Sequence, residues 1–377
     1  MQVGVPKETH PGERRVAIVP ETVSRLRDLG LTVVIQAGAG QAAGFSDEAY
    51  QKAGATIEPD AGRLCSSSAL LLKVREPTAA EIRALGEGAA VIGFLQPLTS
   101  PALVRSLADR KLTGFSIELI PRITRAQTMD ALSSQATVAG YKAVLLAATE
   151  ANKFFPMLMT AAGTVPPARV LILGVGVAGL QAIATARRLG AVVEGYDVRP
   201  DVKEQVESLG ARWVGLAMEE AVGAGGYAKE ISEEAQQKAH EHLKKLVGNA
   251  DVVITTAQIP GRKAPILITD DMVAGMKAGS IIVDLAADSG GNCSKTRPGQ
   301  TIEIDGVTIM GPTDLASSMP LHASQMYSRN LLALLQNMVK DGALNLDMGD
   351  EITSGCLVAH GGEIINERTR AAVQASA

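Results

Sequence analysis

The stretch VLILGVGVAGLQAIATARRLGAVVEGYD, residues 170–197, constrains this chain more than any other. An aliphatic run leads straight into Gly174-x-Gly176-x-x-Gly179, an amphipathic segment continues to Leu189, and a second β-branched run ends at Asp197. That is a strand, a glycine turn, a helix and a strand, and each glycine has a mechanical reason. Gly174 permits the tight turn, Gly176 lets backbone approach a pyrophosphate, and Gly179 lets the helix pack against the strand. The new helix would point its N–H groups and the positive end of its dipole at phosphates. Asp197 is placed to accept hydrogen bonds from the adenosine-ribose hydroxyls. The carboxylate would repel a 2′-phosphate, which favours NAD over NADP, and Arg199 two residues on softens that preference. The stretch reads as a dinucleotide site.

The surrounding chain repeats the strand–helix alternation. Strand candidates are 3–5, 33–36, 70–73, 91–95 and 113–117, with amphipathic segments at 21–29, 47–53, 79–85 and 101–109 between them. The pattern resumes with strands at 192–196, 251–256 and 280–285. Such spacing implies βαβ units and parallel sheets. Two longer helical segments, 130–152 and 322–340, interrupt it. They suggest a discontinuous first domain, 1–135 plus 320–377, and a second domain over 136–319, linked by long helices. The segment 217–245 stands apart, a glycine cluster followed by a charged Ala/Glu/Lys/Gln run. It reads as an exposed helix after a mobile loop, or as a plain solvated helix.

Composition narrows the function classes. Lys plus Arg number 36 against 40 Asp plus Glu, a formal charge of -4, which gives no electrostatic footprint for nucleic acid or anionic lipid. One Trp, five Tyr and five Phe leave few rings for stacking bases. Cys65, Cys293 and Cys356 are too scattered for a disulfide framework or a zinc ribbon, so reduced, buried thiols are expected. The start MQVGVPKETH lacks the apolar core of a signal peptide. The uncharged run between Arg169 and Arg187 is near the lower length for a membrane span, but its glycines, Gln181 and Thr185 fit the strand, turn and helix better. The chain is read as a soluble cytoplasmic α/β protein.

Nucleophile and metal motifs are missing: there is no GxSxG, no HExxH, and no His/Cys pair at ligand spacing, so no metal is expected. The histidines are His10, His240, His242, His322 and His360. A dehydrogenase acting on an alcohol or amine needs a general acid/base, whereas hydride transfer between two nicotinamides moves no proton. The second informative stretch, PRITRAQTMDALSSQATVAGYKAV at 121–144, packs Arg122, Gln127, Asp130 and Ser133 into a strand-to-helix junction. Asp130 or Ser133 suits a helix cap as well as a ligand contact. The segments 255–261 and 284–292 follow later strands and are candidates to line a cofactor.

These stretches, with TAAGTVPPARVLILGVGVAGLQAIATARRLGA and the GGYAKE loop, resemble the NAD(H)-binding alpha component of proton-translocating NAD(P) transhydrogenase, in the alanine dehydrogenase superfamily. The resemblance implies two Rossmann-like, doubly wound parallel-sheet domains flanking a cleft, in a homodimer. It implies that Arg122, Gln127, Asp130 and Ser133 hold the nicotinamide and its ribose for transfer, in a loop shared with Ile123, Thr124, Thr128 and Met129. Val175, Gly176 and Val177 would meet the pyrophosphate beside Gly174 and Gly179, and Asp197, Val198 and Arg199 the adenosine ribose. Tyr227, after Gly226, resembles the tyrosine of a loop that closes over bound nucleotide, and Gln258 takes a strand-end position near it.

The relation to alanine dehydrogenase supplies a contrast. Arg15, Lys73 and Asp288 stand where that enzyme handles its keto acid, but its catalytic histidine falls at Gln96, and glutamine carries no proton near neutral pH. One dinucleotide fingerprint and no proton channel imply that NADP and proton movement belong to partner subunits, with this chain peripheral to the inner membrane through them. The alternatives are a stand-alone alanine dehydrogenase-like enzyme and a non-catalytic NAD sensor.

Overall fold

The computed structural model describes residues 1–215, 233–259 and 261–375. They form two units, Met1–Gln135 with Ala316–Ala377, and Ala136–Leu315. Each is an α/β unit around its own sheet.

The first unit carries an eight-stranded sheet. Its six parallel strands, in chain order Gln2–Val5, Thr32–Gln36, Thr56–Glu58, Leu70–Leu72, Ala90–Gly93 and Thr113–Ser116, lie in the spatial order 3-2-1-4-5-6 of a doubly wound sheet. Leu357–His360 and Glu363–Ile364 extend it antiparallel beyond Thr113–Ser116. Alternation along the strands feeds two separate cores. Val3, Val5, Leu70, Leu72, Ile92 and Phe115 enter one, while Leu71 and Val91 enter the other with Leu107 and Val358. Strands buried on both faces read as unbroken aliphatic runs, which is why these are visible in the sequence.

The second unit repeats the plan. Arg169–Leu173 lies at the centre, with Val192–Tyr196 and Arg212–Trp213 on one side and Val252–Thr255, Ile281–Asp284 and Val307–Met310 on the other. Thr301–Ile304 closes the edge antiparallel. Val170, Ile172 and Ile254 face one core, Leu171, Leu173 and Val253 the other.

The two long helices are Ala131–Glu150 and Pro320–Met338. Expected elements recur within a few residues, whereas the short strand Thr56–Glu58, the helix Ala61–Ser67 and the antiparallel pair near the C-terminus are additions to the expected pattern. Helix Glu233–Asn249 occupies the charged run, and the rest of the expected 217–245 feature lies outside the described residues.

Candidate functional site

The glycine turn sits at the switch point of the second unit's sheet, where the central strand Arg169–Leu173 has Val192–Tyr196 on one side and Val252–Thr255 on the other. Gly174 has φ +90°, and a Cβ there would come within 2.9 Å of the Ala257 nitrogen, so both conformation and space require glycine. A Cβ on Gly179 would lie 2.0 Å from the Gly174 carbonyl oxygen, so the helix start is pressed onto the turn. Gly176 differs: nothing lies within 4 Å of its missing Cβ. It begins helix Val177–Arg188 with no side-chain cap, whereas Ser46, Asp60, Thr78 and Asp350 cap other helices. An uncapped helix start facing open space can take a phosphate, its amides donating to the anion. Val175 is buried beside it, and Val177 is exposed.

Asp197 is buried at the end of the neighbouring strand. Its Oδ2 accepts the Val175 N–H at 2.8 Å, and Arg199 engages both of its oxygens. The acid therefore ties the turn to the strand end, and Val198 stands half-buried between the pair.

The segments after the later strands are moulded by one buried carboxylate. Asp284 accepts from Thr255 Oγ1, Thr296 Oγ1 and the backbone N–H groups of Ala286, Asn292 and Cys293, all within 3.0 Å. Asn292 in turn accepts the Ala257 N–H and donates to the carbonyls of Ala257 and Pro265. Thr256 donates to the Gly174 carbonyl at 2.8 Å, and Gln258, exposed, donates to the Leu285 carbonyl. Asn292 and Thr256 fall inside segments singled out from the sequence, but nothing in the pattern distinguishes them from their neighbours.

In the first unit, residues Thr124–Met129 form a 3₁₀ turn. Ile123, Ala126 and Met129 recur every third residue, so they share one face and pack into the core. Arg122, Thr124, Gln127 and Thr128 are left exposed on the other side. Asp130 accepts the Ser133 N–H at 2.9 Å and the Ser133 hydroxyl at 2.6 Å. The cap expected for the long helix is thus formed by Asp130, on the residue three positions on. Gly226 and Tyr227 lie outside the described residues.

Two profiles match almost the whole chain: "Alanine dehydrogenase/PNT, N-terminal domain" over residues 4–139 and the corresponding C-terminal domain over 143–367. The chain belongs to this family. Within it, the first of the separately encoded pieces of NAD(P) transhydrogenase subunit alpha in Rhodospirillum rubrum is 48% identical over 97% of this chain and 98% of its own length. A transhydrogenase structure from Sinorhizobium meliloti superposes with a TM-score of 0.88 at 45% identity, covering 97% of this chain and 100% of that one. An L-alanine dehydrogenase structure follows at 0.81 and 28% identity, each chain fully covered.

The family's two branches meet in a polar cluster of the first unit. Lys73, 1% exposed, reaches Glu81 at 2.8 Å and Glu8 at 3.4 Å. Burial pulls its pKa down, but the two carboxylates outweigh this and hold it above the ordinary lysine value. Arg15 is clasped by Glu13 through two nitrogens and reaches Gln135 at 2.9 Å. Gln96 adopts φ +48° and donates its backbone N–H to Glu118, while its side-chain oxygen accepts from Thr99. Asp288 lies in a separate 3₁₀ turn, Ala287–Ser289, of the second unit. Among the described residues no group of three or more His, Cys, Asp or Glu could hold a metal ion, and all three cysteines are buried. No helix among those residues is long and apolar enough to cross a membrane.

Proposed function

We propose that this chain is the NAD(H)-binding subunit of a proton-translocating NAD(P) transhydrogenase, working with an NADP(H)-binding partner and membrane-spanning subunits. The observation that carries the reading is the uncapped helix start at Gly176, open to ligand, next to a buried Asp197 at the adjoining strand end. The 48% identity to a transhydrogenase alpha subunit supports the same assignment.

The bound nucleotide supplies a hydride, passed from a reduced nicotinamide to an oxidised one with no net proton taken up or released. The chain's own residues bind and orient. The amides after Gly176 neutralise pyrophosphate charge, and Asp197 with Val198 and Arg199 selects the adenosine ribose. Arg122 and Gln127, exposed on the 3₁₀ turn, hold the nicotinamide and its ribose, with Asp130 and Ser133 fixing the turn's exit into the helix. Gly226, Tyr227 and Gln258 complete the nucleotide contacts. Proton translocation belongs to the membrane subunits, to which this chain attaches peripherally on the cytoplasmic side.

A homodimer fits the surface. The hairpin Leu158–Thr160/Gly163–Val165 pairs with neither large sheet and leaves Met157 and Met159 exposed, 57% and 80%. An isolated two-stranded hairpin is marginal alone, and a second copy would cover it.

The test mixes the purified chain with a transhydrogenase NADP(H)-binding subunit and follows reduction of an NAD analogue by NADPH. Hydride transfer is expected, and its absence with both nucleotides bound would refute the assignment. The alanine dehydrogenase reading, favoured by Arg15 and Lys73, predicts pyruvate- and ammonia-dependent NADH oxidation by the chain alone. Gln96 offers no proton carrier for that reaction, so none is expected.

A further inference from the structure

The 3₁₀ turn carrying Arg122 and Gln127 is short, and 3₁₀ geometry is weak by itself. Apolar contacts of Ile123, Ala126 and Met129 hold its inner face. Its polar side is held from elsewhere in the same unit. Asn330, 8% exposed within the otherwise leucine-rich helix Pro320–Met338, donates to the Thr128 carbonyl at 2.8 Å and accepts the Ser134 hydroxyl at 2.7 Å. It therefore grips both the turn and the first turn of the helix that follows. Two helical turns on, on the same face, Asn337 accepts from Arg125 at 3.3 Å. Arg125 also reaches Asp350 at 2.5 Å, and Asn337 donates to the other oxygen of Asp350 at 2.8 Å. Asp350 is itself fixed as the cap of helix Glu351–Cys356, accepting the Thr353 N–H and hydroxyl.

We propose that Asn330 and the Arg125–Asn337–Asp350 seam form a splint that sets the position of the turn presenting Arg122 and Gln127, and that these four side chains are positioning residues for hydride transfer. The inference rests on the transhydrogenase reading. The geometry favours positioning over plain packing for two reasons. Asn330 spends its donor on a backbone carbonyl of the turn itself, and the seam grips Arg125, the side chain lying between the hydrophobic anchors Ile123 and Ala126. A displaced turn would carry Arg122 and Gln127 with it while leaving the pyrophosphate and adenosine contacts of the other unit in place.

The variants are Asn330→Asp and Asp350→Asn. The first keeps size and the acceptor for Ser134 but replaces the donor to Thr128 with an anionic oxygen. The second keeps a capping side chain but removes the charge facing Arg125. Each is compared with wild type for thermal unfolding, for NADH affinity of the chain alone, and for turnover with the NADP(H)-binding subunit at saturating NADH. Turnover is expected to fall ~10–100-fold while the NADH Kd changes less than ~3-fold, the split expected of misplaced reacting groups. Folded variants with wild-type turnover would overturn the splint and leave the transhydrogenase reading intact. Equal losses in affinity and turnover would overturn it too, since the residues would then support binding as a whole. A wild-type chain that binds NADH but passes no hydride defeats the reading, and the splint with it. If Asn330→Asp does not fold, the half-exposed seam at Asp350 decides.

Discussion

Arg199 closes over Asp197 with three nitrogens: its backbone N–H and Nε reach Oδ1, both at 3.0 Å, and a terminal guanidinium nitrogen reaches Oδ2 at 2.9 Å. With the Val175 N–H on Oδ2, the carboxylate receives four donors, as many as its lone-pair sites. A ribose can take this acid only by displacing part of the guanidinium. Asp197→Ala is expected to weaken NADH binding by about 1–3 kcal/mol, losing the ribose contact and stranding the Val175 amide. Arg199→Ala is expected to leave NADH affinity undiminished while weakening NADPH, because the bare carboxylate then faces the 2′-phosphate. Competition titrations read both, and a joint loss of NADH affinity in the two variants would show that Arg199 holds the ribose itself.

Gly176 and Gly179 separate binding from folding within one motif. A methyl at Gly179 meets the Gly174 carbonyl oxygen at 2.0 Å, backbone that cannot give way, so Gly179→Ala is expected to destabilise the second unit by about 3 kcal/mol or more. A methyl at Gly176 meets nothing. Gly176→Ala should unfold at nearly the wild-type temperature yet bind NADH poorly, since the added carbon fills the room a phosphate needs. Calorimetric unfolding and NADH titration of the same samples check the contrast, and an unimpaired Gly176→Ala would remove the pyrophosphate from this turn.

What is legible in the sequence follows from burial. Leu70–Leu72 and Val252–Thr255 are buried throughout, so their runs are unbroken and short, and the glycine turn announces itself because each glycine answers a steric demand. Thr56–Glu58 escapes a reading by pattern because a polar edge strand lacks that run. The polar residues shaping the candidate site are harder to read. Asn292, Asn330 and Asp350 act through partners 35, 202 and 225 residues distant along the chain, and spacing carries no trace of such pairs. Asn330 does leave one signal, a lone amide on the buried face of a leucine-rich helix.

The dimer proposal turns on Met159. At 80% exposure its side chain contributes little to the fold of one copy, so Met159→Asp should change unfolding free energy by no more than ~0.5 kcal/mol. A charge buried between two copies would instead be costly. Sedimentation should show the wild type as a dimer and the variant dissociating at micromolar concentration. A variant that stays dimeric would place the interface elsewhere.

Acid stability gives a test of the first unit by itself. Burial pushes the Glu13 carboxyl up, but the hydrogen bonds and charge of Arg15, with the charge of Arg75, outweigh it and lower the pKa to about 2 from an ordinary 4.5. The folded state therefore binds this proton less readily than the unfolded chain. The stabilisation is fully present above pH 4.5 and disappears as pH falls through 2. The difference corresponds to about 3 kcal/mol. Glu13→Gln removes the anion and strands a buried Arg15, so it should be less stable near neutral pH by about 3–5 kcal/mol. The gap to wild type should then narrow between pH 4.5 and 2, where the native carboxylate is itself being protonated. Urea denaturation of both proteins at several pH values measures that gap, and a constant gap across the window would mean that Glu13 does not titrate as its pairing with Arg15 requires.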